Sequence, residues 1–478
     1  MQYETVIGLE THAQFHTRSK MFCGCKTDFG APPNTQTCPV CQGLPGTLPV
    51  VNRTAVELGL RAALALRCHI APVTQFDRKN YFYPDLPKNY QVSQNYHNLG
   101  VDGRLEIEVD GQTRKVGIWN VHLEEDAGKL EHPEDTGANY TAIDLNRAGT
   151  PLLEIVSAPD MRSADEANAY MNELAAILRH LGISDCKMQE GSLRFEAGIS
   201  VRAVGGEEFG NRVEVKNLNS MSAVVKAIEH ERHRQVAVLE SGGTVPSQTM
   251  LWDVQREVTE PMRSKEEAKD YRYFPEPDLV PIEISPEWLD QVREQMSELP
   301  AVRRKRFIAE LDLPPYDAGV IVEQKPIADY FEQTVEQGVE PKTAANWMMG
   351  EVMRVLNERQ CEIDDLPVSP PMLAELIGLV TDDRISNSVG KTVFSEMCSS
   401  GKKAGEIVEE KGLAQISDSG ELEAVVKQVL ADHPDAVADL ESGKQQAKGF
   451  LIGQIMRATR GKANPKLAGE LIDRLTGD

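Results

Sequence analysis

Short β-rich segments separated by turns of glycine, proline and asparagine fill the first 298 residues of the chain. They read TVIGLETHAQF, RLEIEV, RKVGIWNVHLEE, YTAIDL, PLLEIV, SLRFEAGISV and RVEVKNL. Two helical patterns interrupt them, Arg53–Leu66 and Ser163–Leu181, and the second opens with a capping box of Ser163 and Glu166. Because hairpin-like turns rather than helices join most strands, we predict an α+β domain over residues 1–298 with a large, mainly antiparallel sheet.

The pattern becomes helical and acidic after residue 298, with proline and glycine between the segments. Residues 299–413 predict an all-α middle domain, and residues 414–478 predict a small helical tail of three amphipathic stretches. A polar segment around Gln415–Gly420 joins the two. A length of 478 residues is about three times that of a typical domain, which agrees with this three-part division.

The sequence carries no sign of membrane insertion or secretion. No run approaches the roughly 18 apolar residues of a membrane span. The first residues, MQYETVIGLE, lack the basic and then apolar character of a signal peptide. We therefore expect a cytoplasmic protein with no membrane partner.

The formal net charge of −23 argues against a general nucleic-acid coat. A local basic patch is still compatible, because phosphate binding depends on where the lysines and arginines lie. Residues 442–469 contain no acid and carry Lys444, Lys448, Arg457, Arg460, Lys462 and Lys466. This stretch predicts a contact with a phosphate backbone, although a solvated helix face rich in lysine has the same composition.

Four of the eight cysteines lie within nineteen residues, as the pairs Cys23-Gly-Cys25 and Cys38-Pro-Val-Cys41. Two closely spaced thiolate pairs suit a tetrahedral zinc ion. Reduced, buried thiols are the alternative, and a disulfide is the least favoured state in the cytosol. Four thiolates leave zinc no open position, so the predicted ion stabilises a loop and does not catalyse.

Carboxylates and one histidine occupy strand-like positions in several motifs. Glu10 and His12 are two residues apart, so on a strand they point to the same face. The others are the run Glu124-Glu125-Asp126, Glu190 and Glu214. Solvated acids on an acidic protein are the simpler explanation for any one of them. Nearby cations favour instead a magnesium-dependent nucleotide or acyl-phosphate site, namely Lys129, Arg147, Lys187, Arg194 and Lys216.

The segment from Lys79 to Tyr90 mixes aromatic residues with lysines. Such a composition suits stacking of a base or ribose while the lysines contact phosphate. A packed loop of tyrosine, phenylalanine and proline explains the same composition equally well, so both interpretations stay open.

Several motifs together resemble one family. They are IGLETH, FCGC…TCPVCQGLPGTLPV, YFYPDLPKNYQVSQ, HLEEDAGK, DLNRAGTPLLEIVS, MQEGSLR, VEVKNLNS and DYRYFPEPDL, which span about residues 7–279. In this order they resemble the B subunits of bacterial tRNA-dependent aspartyl/glutamyl amidotransferases. The resemblance implies a glutamine-synthetase-like catalytic domain, called the cradle, followed by a helical domain and a small tail that contacts tRNA.

The resemblance also implies the reaction. ATP phosphorylates the side-chain carboxylate of glutamate or aspartate misattached to the glutamine or asparagine tRNA, and ammonia then displaces the phosphate. Such a reaction needs ATP and Mg²⁺, with Zn²⁺ in the cysteine loop. The sequence shows no amidase signature or cysteine glutaminase, so the resemblance implies a glutaminase A subunit that supplies ammonia, together with a small C subunit.

Position by position, the resemblance assigns the magnesium site to Glu10, His12 and Glu125. Cys23, Cys25, Cys38 and Cys41 match the family's zinc ligands. Two carboxylates are predicted at a second metal or on the ammonia side, namely Glu190 and Glu214. Candidate contacts to phosphate or acyl phosphate, inferred from charge and motif position, are Lys79, Arg147, Arg194 and Lys216.

The chain departs from the family pattern at Thr11, at residues 195–198 and at residues 252–257. These departures leave roles within 195–198 and 252–262 undefined, but not the predicted triad. The competing hypothesis is a non-catalytic, zinc-containing tRNA adaptor, in which the acids are merely solvated. Loss of ATP-dependent phosphorylation in carboxylate variants would separate the two.

Overall fold

The computed structural model describes residues 2–132, 140–262, 270–414, 419–442, 444–459 and 462–477. The predicted basic residue Arg460 and most of the predicted linker, residues 415–418, lie outside these ranges. The chain forms two compact units, residues 1–300 and 301–478.

A nine-stranded sheet organises the first unit, in the strand order β14-β13-β12-β11-β1-β10-β7-β6-β2. The strands of this unit, within the described residues, are β1 (Tyr3–Gln14), β2 (His69–Ile70), β3 (Val73–Thr74), β4 (Asp77–Asn80), β5 (Tyr90–Ser93), β6 (Gly100–Val109), β7 (Gln112–Glu125), β8 (Lys129–Glu131), β9 (Ala142–Asp144), β10 (Pro151–Ser157), β11 (Leu193–Ala203), β12 (Val213–Leu218), β13 (Gln248–Asp253), β14 (Val258–Pro261), β15 (Phe274–Pro275) and β16 (Ile282–Glu283). Smaller sheets have the orders β15-β4-β5, β16-β3 and β8-β9. The unit is therefore a mixed α/β structure with one large sheet.

In the large sheet, β12 and β13 are parallel and the other neighbouring pairs of described strands are antiparallel. A parallel pair needs a crossover, which a helix between the two strands provides. That helix is α3, and the helices of this unit are α1 (Arg53–Ala65), α2 (Ala164–His180), α3 (Met221–Glu240) and α4 (Pro286–Glu294).

Both predicted helices are present. Ser163 caps α2 by accepting a hydrogen bond from Glu166 N, whereas the Glu166 carboxylate accepts from Arg162 N rather than from Ser163 N. Two further helices of this unit, α3 and α4, were not predicted. In α3 the apolar residues Val224 and Ile228 recur at helical spacing, and Ser220 caps the helix.

Alternation along β1 separates the core from the open face of the sheet. Leu9 and Ala13 belong to the hydrophobic core that the sheet shares with α1, α2 and α3. Glu10, His12 and Gln14 alternate with them and are only partly buried. Because successive strand residues point to opposite faces, β1 carries its polar residues on the side away from this core.

The second unit is helical throughout its described residues. Its helices are α5 (Pro300–Glu310), α6 (Pro315–Val322), α7 (Lys325–Glu336), α8 (Pro341–Trp347), α9 (Met353–Arg359), α10 (Pro370–Thr381), α11 (Asn387–Ser400), α12 (Ala404–Glu410), α13 (Ser419–Asp432), α14 (Pro434–Glu441), α15 (Gln445–Ala458) and α16 (Pro465–Thr476), with a π-helical turn at Met348–Val352 and a 3₁₀ turn at Ile363–Asp365. One hydrophobic core spans residues 307–408 and another spans residues 422–472. The predicted boundary between residues 413 and 414 falls between these cores and stays a prediction.

No helix in the described ranges combines the length and the apolar character that crossing a membrane requires.

Candidate functional site

Three neighbouring strands bring two histidines and an acid into one line across the open face. His12 of β1 lies opposite Glu154 of β10, and Glu154 lies opposite His122 of β7. Opposed residues in antiparallel strands have their side chains on the same face, so the three groups are forced together. Glu154 is the one charged residue of the otherwise apolar segment PLLEIV, and its place between the two histidines accounts for it.

His12 Nε2 is the centre of this group. It lies 3.6 Å from Glu10 Oε1, 3.6 Å from Glu124 Oε1 and 3.4 Å from Glu154 Oε2. Glu154 Oε2 also lies 3.0 Å from His122 Nε2. We call these five residues, Glu10, His12, His122, Glu124 and Glu154, the acid–histidine cluster. Within it, ligand atoms of Glu10, His12 and Glu154 and of His122, Glu124 and Glu154 are close enough for one ion each.

Together, burial and the mutual charges of the cluster raise the pKa values of Glu10, His12, His122 and Glu124 and lower that of Glu154. Burial, reinforced by the charge of Glu154, raises the pKa of Glu10 to about 7 and also raises that of Glu124. Burial would lower the pKa of His12, but the hydrogen bond and charge of Glu154 raise it to about 9. Despite its own burial, Glu154 has a pKa well below the usual range, because His122 and His12 face it. A divalent ion at this position would favour the charged carboxylates and displace these protons.

A second group of acids adjoins Glu10. Glu10 lies opposite Glu196 in β11, and carboxylate oxygens of Glu10, Glu196 and Glu214 lie within 4.8 Å of one another. Lys216 Nζ lies 2.9 Å from Glu196 and 3.7 Å from Glu214. The structure therefore brings Glu214 and Lys216 to the site, together with Glu196, whose role the sequence had left undefined.

The structure does not bring Glu125 into the cluster, although Glu10, His12 and Glu125 were predicted together. Glu125 Oε1 accepts hydrogen bonds from Val92 N, at 2.9 Å, and from Lys88 Nζ. The reason is strand alternation: Glu125 follows Glu124 on β7 and points to the other side. Sequence spacing could have found Glu124, because His122-Leu-Glu124 repeats the i, i+2 pattern of Glu10 and His12.

Glu190 is also separate from the cluster. It lies in a 3₁₀ turn at Met188–Glu190, and its carboxylate lies 3.4 Å from Lys187 Nζ. The structure does not bring Glu190 to the other acids, and its predicted place at a second metal or on the ammonia side stays a prediction. A surface ion pair of this kind needs no functional explanation.

Two predicted cations meet at Asp126, at the end of β7. Arg194 Nη2 lies 3.0 Å and Arg147 Nε 3.6 Å from Asp126 Oδ2, which also accepts from Gln14 Nε2 at 2.7 Å. Burial would raise the pKa of Asp126, but the two arginines lower it. The buried carboxylate of Asp126 thus holds both arginines, and Arg194 borders the cluster because it lies opposite His12 in the sheet.

Lys79 faces the cluster from another sheet. Its ammonium lies 5.1 Å from the centre of the Tyr271 ring. Burial alone would lower the pKa of Lys79, but the charges of Glu124 and Glu154 raise it. The charges of Glu124 and Glu154 therefore favour the protonated form of Lys79.

The four predicted zinc ligands come together. The sulfur atoms of Cys23, Cys25, Cys38 and Cys41 all lie within 4.8 Å of one another, which is compatible with zinc. Hydrogen bonding from Cys23, aided by the charge of Lys20, lowers the pKa of the Cys41 thiol. The same hydrogen bond, together with burial, raises the pKa of the Cys23 thiol, whereas bound zinc would hold all four cysteines as thiolates.

One cavity lies beside the four cysteines and another lies beside Glu10 of the acid–histidine cluster. One, of about 230 Å³, lies between the cysteines and Glu125 and is also lined by Lys20 and Lys88. The other, of about 220 Å³, lies beside Glu10 on the open face and is lined mainly by apolar and small residues. Trp119 and Phe209, which are 54% and 60% exposed, contribute to the second cavity. Its size and apolar character suit a flat organic ring next to the acids.

Two lysines of the basic stretch in the tail already form ion pairs with acids of this chain. Lys444 Nζ lies 2.7 Å from Asp439, and Lys448 Nζ lies 2.6 Å from Asp473. Both acids lie outside residues 442–469, so local composition could not show these pairs. In the described part of the chain, Arg457, Lys462 and Lys466 make no ion pair.

Comparison with known proteins gives one consistent result. Residues 5–290 match the family model described as the GatB/GatE catalytic domain, and residues 329–475 match the one described as the GatB domain. A relative from Moorella thermoacetica, named as the B subunit of an aspartyl/glutamyl-tRNA(Asn/Gln) amidotransferase, is 54% identical over 472 residues, covering 99% of each chain. Relatives of the same name from Thermoanaerobacter sp. and Geotalea daltonii are each 53% identical, also over 99% of each chain.

Proposed function

The chain belongs to the GatB/GatE family, and on this premise we propose that it is the B subunit of a tRNA-dependent amidotransferase. Its substrate is glutamate or aspartate misattached to tRNA(Gln) or tRNA(Asn). A carboxylate oxygen of the amino acid attacks the γ-phosphorus of ATP, and ADP leaves. Ammonia then forms the C–N bond while the C–O bond to phosphate breaks, and phosphate carries away the proton that ammonia loses.

The convergence of Glu10, Glu124 and Glu154 on His12 supports this proposal most directly. Carboxylate oxygens and one imidazole nitrogen are suitable donors for a divalent ion that also binds phosphates. Magnesium, when held by these residues, supplies the charge neutralisation that phosphoryl transfer to an anion requires. We assign Glu124 and Glu154, in place of Glu125, to this set.

The remaining residues of the site have distinct roles. Lys79 holds the transferred phosphoryl group, since it is the cation that faces Glu124 and Glu154. Arg194 and Arg147, fixed by Asp126, contact the nucleotide or acyl phosphate. Glu214 and Lys216 border the site beside Glu10, where a second ion or ammonia would meet carboxylates. Glu125 and Glu190 have no role in this arrangement.

The nucleotide base occupies the cavity beside Glu10. Its apolar lining, with Trp119 and Phe209, offers contact to a purine ring, and β1 runs from this cavity at Gly8 to the cluster at His12. The open face of the nine-stranded sheet is in this proposal the glutamine-synthetase-like cradle.

Zinc bound by the four cysteines stabilises the loop between β1 and α1, and it has no catalytic role because the thiolates fill its coordination sphere. Ammonia comes from a glutaminase A subunit, with a small C subunit in the complex, which makes the whole a carbon–nitrogen ligase with glutamine as amido donor. The helical tail binds tRNA through its unpaired basic residues.

The deciding experiment measures transfer of the γ-phosphate of ATP to a misacylated tRNA by the purified complex, with free ammonia replacing glutamine. We expect a labelled acyl phosphate without ammonia and the amide with it. Glu154→Gln should abolish both products while tRNA binding persists. Binding of tRNA by the wild-type complex without any phosphate transfer would favour the non-catalytic adaptor instead.

A further inference from the structure

Five tyrosines form a continuous row beside the three-stranded sheet. Neighbouring ring centres are 6.1, 6.0, 6.0 and 6.5 Å apart, and each pair meets edge to face. The rings come from three segments, which follow β4, precede β15 and follow β5. In spatial order this tyrosine row is Tyr83, Tyr81, Tyr271, Tyr273 and Tyr96.

The row lies against the proposed reaction site. Lys79 Nζ lies 5.1 Å from the Tyr271 ring centre and 5.9 Å from that of Tyr81, so the lysine sits at the middle of the row. The charges of Glu124 and Glu154 act on Lys79 as well as on Tyr273. Geometry connects the row to the cluster as well: β4, which carries Lys79, pairs with β5, and Ser93 Oγ of β5 donates to Glu124 Oε2 at 3.3 Å. The row therefore lies beside a strand pair that contacts the cluster.

Packing alone does not explain the row. Its two end rings, Tyr83 and Tyr96, are 51% and 58% exposed, and the neighbouring Phe82 is 69% exposed. Hydrogen bonds nevertheless hold two of the rings in place, from Tyr81 Oη to Gln91 Oε1 at 3.0 Å and from Tyr96 Oη to the Tyr273 carbonyl at 3.4 Å. An ordered, partly exposed aromatic surface is suited to binding a planar group.

We propose that the tyrosine row stacks the unpaired bases at the aminoacylated end of the tRNA, and thereby positions the amino acid between Lys79 and the acid–histidine cluster. This inference rests on the proposed function. Unpaired bases are bound by stacking on aromatic side chains, and five rings offer room for more than one base. The adenine of ATP is also a planar base that stacks on aromatic rings. In the proposed function, however, it occupies the apolar cavity beside Glu10, at another part of the site.

The test uses a tRNA whose terminal adenine is replaced by 2-aminopurine, a base whose fluorescence is quenched by stacking. Binding to the full-length wild-type chain should quench it. At least one of Tyr83→Ala and Tyr96→Ala, which lie at opposite ends of the row, should reduce the quench, and phenylalanine at the same position should restore it, since the ring rather than the hydroxyl stacks. Tyr140→Ala is the matched control, because Tyr140 is an equally exposed tyrosine, 64%, of the same unit but outside the row.

In the complex, Tyr83→Ala should raise the KM for misacylated tRNA about ten-fold, the effect of losing one stacked base, without a matching rise in the KM for ATP. An unchanged quench in both alanine variants would overturn the inference, as would a rise confined to the KM for ATP. The quench is a binding readout. It therefore decides the inference even if the wild-type complex transfers no phosphate, a result that would contradict only the proposed function.

Discussion

Glu124 and Glu125 are adjacent in the chain, but their side chains lie on opposite faces of β7. Glu124 Oε1 lies 3.6 Å from His12 Nε2, whereas Glu125 Oε1 accepts hydrogen bonds from Val92 N and Lys88 Nζ. One carboxylate is thus available to a cation shared with His12, and the other is already neutralised by a lysine. Substitutions of these two neighbouring residues should therefore have different effects on cation binding.

The first prediction uses this difference. Glu124→Gln should weaken binding of Mn²⁺, as a probe for Mg²⁺, by about ten-fold or more, because it removes a charged ligand. Glu125→Gln is the matched control and should change the affinity much less. Calorimetric titration of the purified chain with Mn²⁺ gives both values. Equal losses in the two variants would contradict the assignment of Glu124.

The second prediction concerns the cysteine loop. Cys38→Ser should lower the zinc content, measured by mass spectrometry of the metal, and should lower Tm, because the loop loses a constraint. Cys361→Ser removes a partly buried thiol outside the cysteine group and should retain zinc. Full zinc occupancy in Cys38→Ser would refute the site.

The third prediction concerns a buried carboxylate that supports the sheet. Glu231 of α3 is fully buried and accepts hydrogen bonds from Arg234, Gln235 and Thr259. Glu231→Gln should lower the free energy of unfolding by about 2 kcal/mol at neutral pH, since it weakens charge-assisted hydrogen bonds. Urea titration measures this change. Glu229→Gln, an exposed substitution on the same helix, should have little effect.

The effect of Glu231→Gln should also depend on pH. Burial would raise the pKa of Glu231, but its hydrogen bonds lower it below the ordinary value of 4.5. Because the pKa of Glu231 is lower in the folded than in the unfolded protein, its ionised form stabilises the fold at any pH above the unfolded-state pKa. This stabilisation is lost as the pH falls through the folded-state pKa. The stability difference between wild type and variant should therefore narrow in acid. A difference that stays constant would exclude an ionised Glu231.

The fourth prediction concerns the tail. Arg457→Ala should weaken tRNA binding and reduce the slope of log K against log salt by about 0.7–0.9, the loss of one phosphate contact. Lys444→Ala should have a smaller effect, because Asp439 already pairs with this lysine at 2.7 Å. Filter binding over a range of salt concentrations measures both. A slope that stays at the wild-type value in Arg457→Ala would argue against phosphate contact at this residue.

Much of the fold was readable from local patterns. The quoted β-rich segments all fall on strands, and the two predicted helices are α1 and α2. The helix α3 was missed, because two of its six buried residues, Glu231 and Gln235, are polar and interrupt the apolar spacing. The site was only partly predictable. Glu10 and His12 were found by their spacing, whereas His122 and Glu154 belong to other strands.

The sequence by itself determined the properties that depend on near neighbours in the chain: the alternation along β1 that puts Glu10 and His12 on one face, and the two thiolate pairs that converge on one point. Tertiary structure alone decided that Glu154 lies opposite His12, that Glu124 rather than Glu125 joins them, and that tyrosines from three segments align beside Lys79. The physical reason is register. A shift of one residue between paired strands exchanges the two faces, and the register between distant strands is set by packing of the whole sheet.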